Sequence, residues 1–259
     1  MKTINLYIAF LLCIVTSIAR ADNKETPIPA VTFKGKITFE RKTNVHKQLD
    51  DMMKGNQGGG MMDQMKKNIP KYKTDVFELF FNEKQSLYKP APNGITESKM
   101  MMGNSPADRN IILNDFEKDS SISEKKVFEK TYLIKDSLRK SEWKITEEFR
   151  KIAGFNCRRA ETIIMDSIYV IAFYTDAIMT PSGPEGFNGL PGMVLGVVMP
   201  RLNTTYFATK VDNYLPSEKD IYAPSKGDKK TNVQVEKTMR ESMKQWGQYV
   251  DRMLWYIFI

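Results

Sequence analysis

Apolar and polar residues alternate along the stretch from Val31 to Lys42. Val31, Phe33, Ile37 and Phe39 fall on one side; Thr32, Lys34, Lys36, Thr38, Glu40 and Lys42 fall on the other. Successive side chains point to opposite faces only in a strand, so this period of two predicts a sheet with one wet face. The pattern returns in Asp75–Phe81, where Phe77, Leu79 and Phe81 share a face, with Ser86–Lys89 as its hairpin partner. Further strands are expected at Ile111–Phe116, Lys126–Ile134, Trp143–Arg150, Asn156–Met165, Tyr169–Tyr174, Met193–Met199 and Tyr206–Val211. Turn residues such as Asp136-Ser137, Ala153-Gly154 and Asp166-Ser167 separate them. Short strands at this spacing predict an antiparallel meander, not βαβ units. No glycine-rich loop joins a strand to a helix, so a nucleotide site has no support.

Two segments break the period. Residues 44–70 are read as a methionine-rich helical insertion, with the glycine run Gly58-Gly59-Gly60 between two short helices. Near the C-terminus, Val235, Met239, Met243, Trp246, Val250, Met253 and Ile257 step by three and four, the face of one amphipathic helix. Thr231 and Gln234 form a capping box at its start, and Lys226–Lys230 reads as a solvated connection. The expected fold is mainly β (α+β): a curved antiparallel sheet or open barrel with short helices and a long C-terminal amphipathic helix. The expected organisation is a secretory signal over 1–21, a β domain over 22–225 and the C-terminal helix over 226–259.

The signal reading rests on Lys2, the apolar run Ile4–Ile18 and the small-residue exit Ala19-Arg20-Ala21. Fifteen residues at about 1.5 Å each are too short for a ~30 Å bilayer core, so cleavage near Ala21 is expected and no transmembrane span after it. Removal of residues 1–21 leaves 259 − 21 = 238 residues and takes the net charge from +8 to +6, because Lys2 and Arg20 are lost without any acid. The expected location is the periplasm, the outer membrane or the medium. Cys157 is then the only thiol, and its strand setting predicts a buried small hydrophobe. A charge of +6 without a basic stripe interleaved with aromatics argues against a nucleic-acid partner.

Residues 181–192 read PSGPEGFNGLPG, a glycine-rich loop in which Leu190-Pro191-Gly192 suits a tight turn. With Gly189-Leu190-Pro191-Gly192-Met193-Val194, the chain resembles the GLPGLI family of exported Bacteroidota proteins, which have no established biochemical activity. Trp143-Lys-Ile-Thr146, Ile152-Ala-Gly-Phe-Asn-Cys157 with Arg159-Ala160, and Ala172-Phe-Tyr-Thr175 follow the family's order, over about Val31–Val211. The family's usual Leu-Ile is Met193-Val194 here, and its usual Trp is Phe173; both exchanges keep apolar character. Trp143, Cys157, Gly189, Leu190, Pro191 and Gly192 thus form a structural signature. Some relatives look like the bowl-like N-terminal β domain of certain bacterial N-glycanases, which implies a curved sheet but transfers no activity. The resemblance implies an exported cell-envelope accessory or binding protein, with an envelope protein or outer-membrane transporter as partner.

The chemistry-bearing residues are few. The single histidine, His46, excludes any site needing two, including the helical zinc-protease motif. Methionine is abundant: Met61, Met62 and Met65 in the insertion and Met100, Met101 and Met102 downstream are soft thioether donors. With His46 they make a periplasmic Cu(I) site the alternative reading, since soft ligands select Cu(I); otherwise no cofactor is expected. Glu147 and Glu148 alternate across a strand and cannot pair with each other. Glu40, Asp75, Asp166, Asp176 and Glu185 could converge only through the fold, and a glycosidase needs two carboxylates held ~5–10 Å apart. No catalytic residue is assigned; a carbohydrate-active accessory module is the second alternative.

Overall fold

A computed structural model of the chain describes residues 32–53, 63–64, 66–97, 106–247 and 249–259. Among the described residues twelve strands form one sheet: β1 (Gly35–Asn44), β2 (Tyr72–Phe81), β3 (Gln85–Pro90), β4 (Ile111–Asp115), β5 (Ser120–Val127), β6 (Lys130–Ser137), β7 (Lys144–Ile152), β8 (Phe155–Ile164), β9 (Ile168–Thr175), β10 (Met193–Met199), β11 (Thr204–Asp212) and β12 (Asp228–Lys230). Their order across the sheet is β12-β6-β5-β4-β3-β2-β1-β11-β10-β9-β8-β7. The sheet is open, with β12 and β7 as its edges. Every pair is antiparallel except β12 on β6. The protein is therefore mainly β, as its alternation implies.

Register places one continuous row of side chains on the inner face: Ile37, Leu79, Tyr88, Ile112, Ser123 and Ile134, one from each of β1 to β6. Beside it runs a second row, Phe81, Ser86, Asn114, Ser121 and Asp136. The second row becomes more polar from β2 toward β6, whereas the first is apolar at both ends with Ser123 between Ile112 and Ile134. Over the apolar end the core is closed, with Ile37, Phe39, Phe77, Leu79 and Phe81 fully buried. The segment between β9 and β10 contributes Ile178, Phe187 and Leu190 to the same interior.

Three sequence expectations are corrected. The stretch Lys126–Ile134 is not one strand: a two-residue turn at Phe128-Glu129 divides it between β5 and β6, with Phe128 at φ 54. The turn carries no glycine, proline or asparagine, so nothing in the residue types announces it. The lysine-rich connection is not wholly solvated loop, because Asp228–Lys230 pairs with Tyr132–Ile134.

The long C-terminal helix is in fact two helices, α2 (Asn232–Ser242) and α3 (Tyr249–Phe258), joined by a 3-10 turn at Lys244–Trp246. Gly247 at φ 56 and ψ −131 leaves helical space and separates them. The apolar spacing survives the break because both helices cover one patch. Val235, Met239, Met243, Val250, Met253, Leu254 and Ile257 all pack on Val127, Tyr132 and Ile134. The Thr231–Gln234 capping box is present at the start of α2, a feature worth about 1 kcal/mol.

In the insertion, α1 (Val45–Met53) sets Val45 and Leu49 against Ile69. The glycine run lies outside the described residues. No described helix is long and apolar enough to cross a membrane.

Candidate functional site

Two polar regions interrupt the inner face. The first is built on the row Tyr206–Arg41–Asp75 across β11, β1 and β2. Arg41 Nε and Nη2 donate to Asp75 Oδ2 at 3.2 and 2.7 Å, and Nη2 also reaches Asp108 Oδ1. Its guanidinium lies 4.8 Å from the centre of the Phe77 ring, which stacks on Tyr88 at 4.9 Å. Lys73 Nζ donates to Asp108 Oδ2 at 2.8 Å.

Glu185 enters from the turn Pro184–Gly186. Its Oε1 accepts from Tyr206 at 3.2 Å and Tyr88 at 3.4 Å and lies 3.9 Å from Arg41 Nη1; its Oε2 accepts from Asn110 Nδ2 at 2.8 Å. Glu185 has φ 51, a left-handed conformation that costs a non-glycine residue about 1–2 kcal/mol. These contacts hold it there. Burial alone would lower the Arg41 pKa; Tyr206, Asp108, Asp75 and Glu185 outweigh that and raise it well above its ordinary value. Burial, and next the Glu185 carboxylate, push the Tyr88 and Tyr206 phenols well above theirs, so both remain donors. A cavity of about 60 Å³ adjoins this cluster, with room for a water or two.

The second region is a cleft of about 710 Å³ between β4–β6 and the helices α2 and α3. The helices cover the Val127–Tyr132–Ile134 end of these strands and leave the Asn114–Ser121–Asp136 end beneath the void. Asp136 Oδ2 accepts from the Asn232 backbone at 3.1 Å and its side chain at 3.0 Å. The side chains of Asn114, Ser121 and Ser123 have no hydrogen-bond partner among the described residues, although Asn114 and Ser123 are buried. At the floor, Lys125 Nζ donates to the main-chain oxygens of Ile257 and Ile259, each at 2.8 Å, and Arg139 Nη2 donates to Phe258 O at 2.7 Å. Burial lowers the Lys125 pKa to about 8, against the opposing pull of Glu185 and with help from Arg139.

The structure locates the signature in packing positions. Gly192 has φ 141, and a Cβ there would lie 2.1 Å from Thr175 O. Its N–H donates to Leu190 O at 2.8 Å, closing a three-residue turn around exposed Pro191. Leu190 is buried, and Gly189 faces the Trp143 indole, whose Nε1 donates to Asn188 O at 2.9 Å. Cys157 is a free, fully buried thiol in β8, and burial pushes its pKa up to about 12.

Met61, Met62, Met65, Met100, Met101 and Met102 lie outside the described residues. His46 Nε2 is 2.9 Å from Ile69 O. Among the described residues no group of three or more His, Cys, Asp or Glu side chains is poised around a metal position. Of the five scattered acids, Asp75 and Glu185 converge, on Arg41; Asp166 lines the cleft; Glu40 and Asp176 are exposed. Glu147 and Glu148 pair with Arg158 and Arg159 respectively. Sequence reasoning missed Arg41, Asn114, Ser121 and Ser123. Arg41 carried a signal, since it continues the apolar face of Ile37 and Phe39.

No family model matches the chain, and no curated protein matches it. Its fold is similar to that of PNGF-II, seen in two crystal forms. In the C2 form the TM-score is 0.50 at 15% identity, covering 86% of this chain and 33% of PNGF-II. In the P21 form the TM-score is 0.50 at 15% identity, covering 82% and 34%. At that identity the likeness shows the fold alone, and this chain spans about a third of the length of PNGF-II. An uncharacterized conserved protein from Thermus thermophilus is similar at a TM-score of 0.38 and 4% identity, over 78% of this chain and 91% of that one.

Proposed function

We propose that this chain is an exported cell-envelope accessory protein of the GLPGLI type that works by binding, without catalysis, at the cleft between β4–β6 and the C-terminal helices. The observation that carries this reading is the unpartnered set Asn114, Ser121 and Ser123 beneath a 710 Å³ void. Buried polar groups are normally satisfied within the fold, and those left free at the floor of a cleft of this size are available to a ligand. The Arg41–Asp75–Asp108–Glu185 cluster supports the non-catalytic part. Its carboxylates are committed to cations, phenols and an amide, so none is free to act as acid or base on a substrate. The signature residues serve packing: Gly192 admits Thr175, and Gly189 sits beside Trp143.

Two measurements test the reading. N-terminal sequencing of protein from the envelope fraction should begin at Asp22; intact Met1 on cytosolic protein would overturn the export half. For the binding half, the melting temperature is read against saccharides, carboxylates, phosphates and short peptides, using wild type and Ser121→Phe, which fills the cleft. At least one class should raise it in wild type and not in the variant. Equal responses of the two proteins to every class would overturn the binding half.

A further inference from the structure

We infer that the cleft takes a neutral saccharide, one to a few sugar rings long, held by the stripe Asn114–Ser121–Ser123 and seated against α3; this rests on the binding reading above. The argument starts from what the lining offers. Asn114 and Ser121 are direct cross-strand partners, and Ser123 follows two residues on along the same face of β5. Cross-strand partners and i, i+2 neighbours lie about 5–7 Å apart, so the three side chains make a compact triangle of hydrogen-bonding groups. An asparagine amide both donates and accepts, and so does each serine hydroxyl. A sugar hydroxyl does the same, and neighbouring hydroxyls on a ring can meet such a triangle without any charge.

The charges in the lining point the same way. Arg240 at the rim is paired with Glu236 and Asp251, both at 2.8 Å. Asp136 is bound by Asn232, and Glu185 is held inside the Arg41 cluster. Lys125 and Arg139 point donors into main-chain oxygens of α3 and the residue after it. The Nη1 atom of Arg139 has no partner, but it is covered by protein and does not open to the void. Asp166, exposed on the turn between β8 and β9, is the one charged lining residue without a partner among the described residues; beneath the void, at Asn114, Ser121 and Ser123, the groups left free are neutral. Opposite them, α3 contributes Leu254, Trp255 and Phe258 to the cleft wall. Sugar rings have apolar C–H faces as well as hydroxyl edges, and a wall of aliphatic and aromatic carbon facing a floor of amide and hydroxyl matches both. The volume falls within the range of small-molecule sites, roughly 300–1,000 Å³.

The test is isothermal titration of the full chain with a panel of neutral mono- and disaccharides: glucose, galactose, mannose, N-acetylglucosamine, maltose and cellobiose. Glutamate, galacturonate and inorganic phosphate form the charged arm. Asn114→Leu removes the amide, and Ser121→Val serves as an independent second variant if the first does not fold. At least one neutral sugar should bind, with a tenfold or greater loss in either variant and a change in tryptophan fluorescence in wild type. Binding confined to the charged arm, and lost in the same variants, would overturn the saccharide assignment while leaving a binding cleft in place. Sugar binding unchanged in both variants would move it elsewhere and overturn the proposal. Silence across both arms, with no class raising the melting temperature, would overturn the saccharide assignment and the binding reading together.

Discussion

The inner face of one sheet treats its polar residues in two ways. Around β1, β2 and β11 the polar groups are charged, and every charge is answered: Arg41 by Asp75 and Asp108, Glu185 by Tyr206, Tyr88 and Asn110. Across β4 and β5 Lys125 is answered by main-chain oxygens, but Asn114, Ser121 and Ser123 are neutral amide and hydroxyl groups, and they are unanswered among the described residues. The first arrangement is what a core needs when it contains ions, because an unpaired buried charge costs several kcal/mol. The second is tolerable only because the groups face a void, where solvent or a ligand can meet them. Charge density alone points to the first region; hydrogen-bond completion is what singles out the second as the proposed binding site.

The largest effect should come from breaking the answered cluster. Arg41→Met removes the buried cation shared by Asp75, Asp108 and Glu185, leaving Asp75 only Lys73 at 3.5 Å and the Thr96 N–H, and urea unfolding should show a loss of about 3–5 kcal/mol. A loss below ~1 kcal/mol would mean that the cluster is not the structural knot its geometry describes. Next is the loop that carries Glu185 to that cluster. Gly192→Val sets a β-branched side chain at φ 141, with its Cβ against the Thr175 carbonyl. The expected cost is about 2–4 kcal/mol, and an unchanged melting temperature would refute it.

The answered half was the more legible in sequence. Phe77, Leu79 and Phe81 alternate with polar neighbours, and a period of two in apolar residues has one physical meaning. Arg41 sits on that apolar face, which is itself a hint of a buried partner. The cleft half was illegible for the opposite reason. Ser120, Ser121 and Ser123 are turn-forming types, and the serines that face inward break the very alternation that would expose the first half of β5 as a strand. The Phe128-Glu129 turn has no turn residues to mark it. Gly247 was the only sign that the C-terminal helix divides, and it was hidden by an apolar spacing that continues because α2 and α3 share one target on the sheet.

A smaller effect separates the halves by pH. Burial holds Lys125 at about 8, below its ordinary 10.5. Between those values the unfolded chain keeps a proton that the folded chain has released, so Lys125 makes stability rise as pH climbs through that window. Lys125→Met should carry a constant offset from the lost contacts to Ile257 and Ile259. The difference between wild type and variant should then shift toward wild type by on the order of 1–2 kcal/mol from pH 8 to 9.5. Parallel curves would show that Lys125 is not desolvated at the cleft floor. The phenols of Tyr88 and Tyr206 titrate well above their ordinary range in the folded chain, and their opposite, destabilising contribution near the top of the window is the same in wild type and variant and cancels in the difference.

The smallest effect is the most informative. If Asn114 is unanswered within the fold, replacing it by a leucine of similar size removes no internal hydrogen bond. It also removes the cost of holding an amide in a half-dry site. Asn114→Leu should therefore change unfolding free energy by less than about 1 kcal/mol, with any shift toward greater stability. Arg41→Met, only a few strands away on the same face, should cost several times that. The contrast depends on partners rather than burial, since Arg41 is 6% exposed and Asn114 2%. A burial-only account predicts comparable losses for two such residues. A cost of about 2 kcal/mol or more for Asn114→Leu would mean that the amide has a structural duty, and the distinction between an answered core and an available cleft would fail with it. A near-zero cost would identify Asn114 as a residue whose polarity the fold itself does not require.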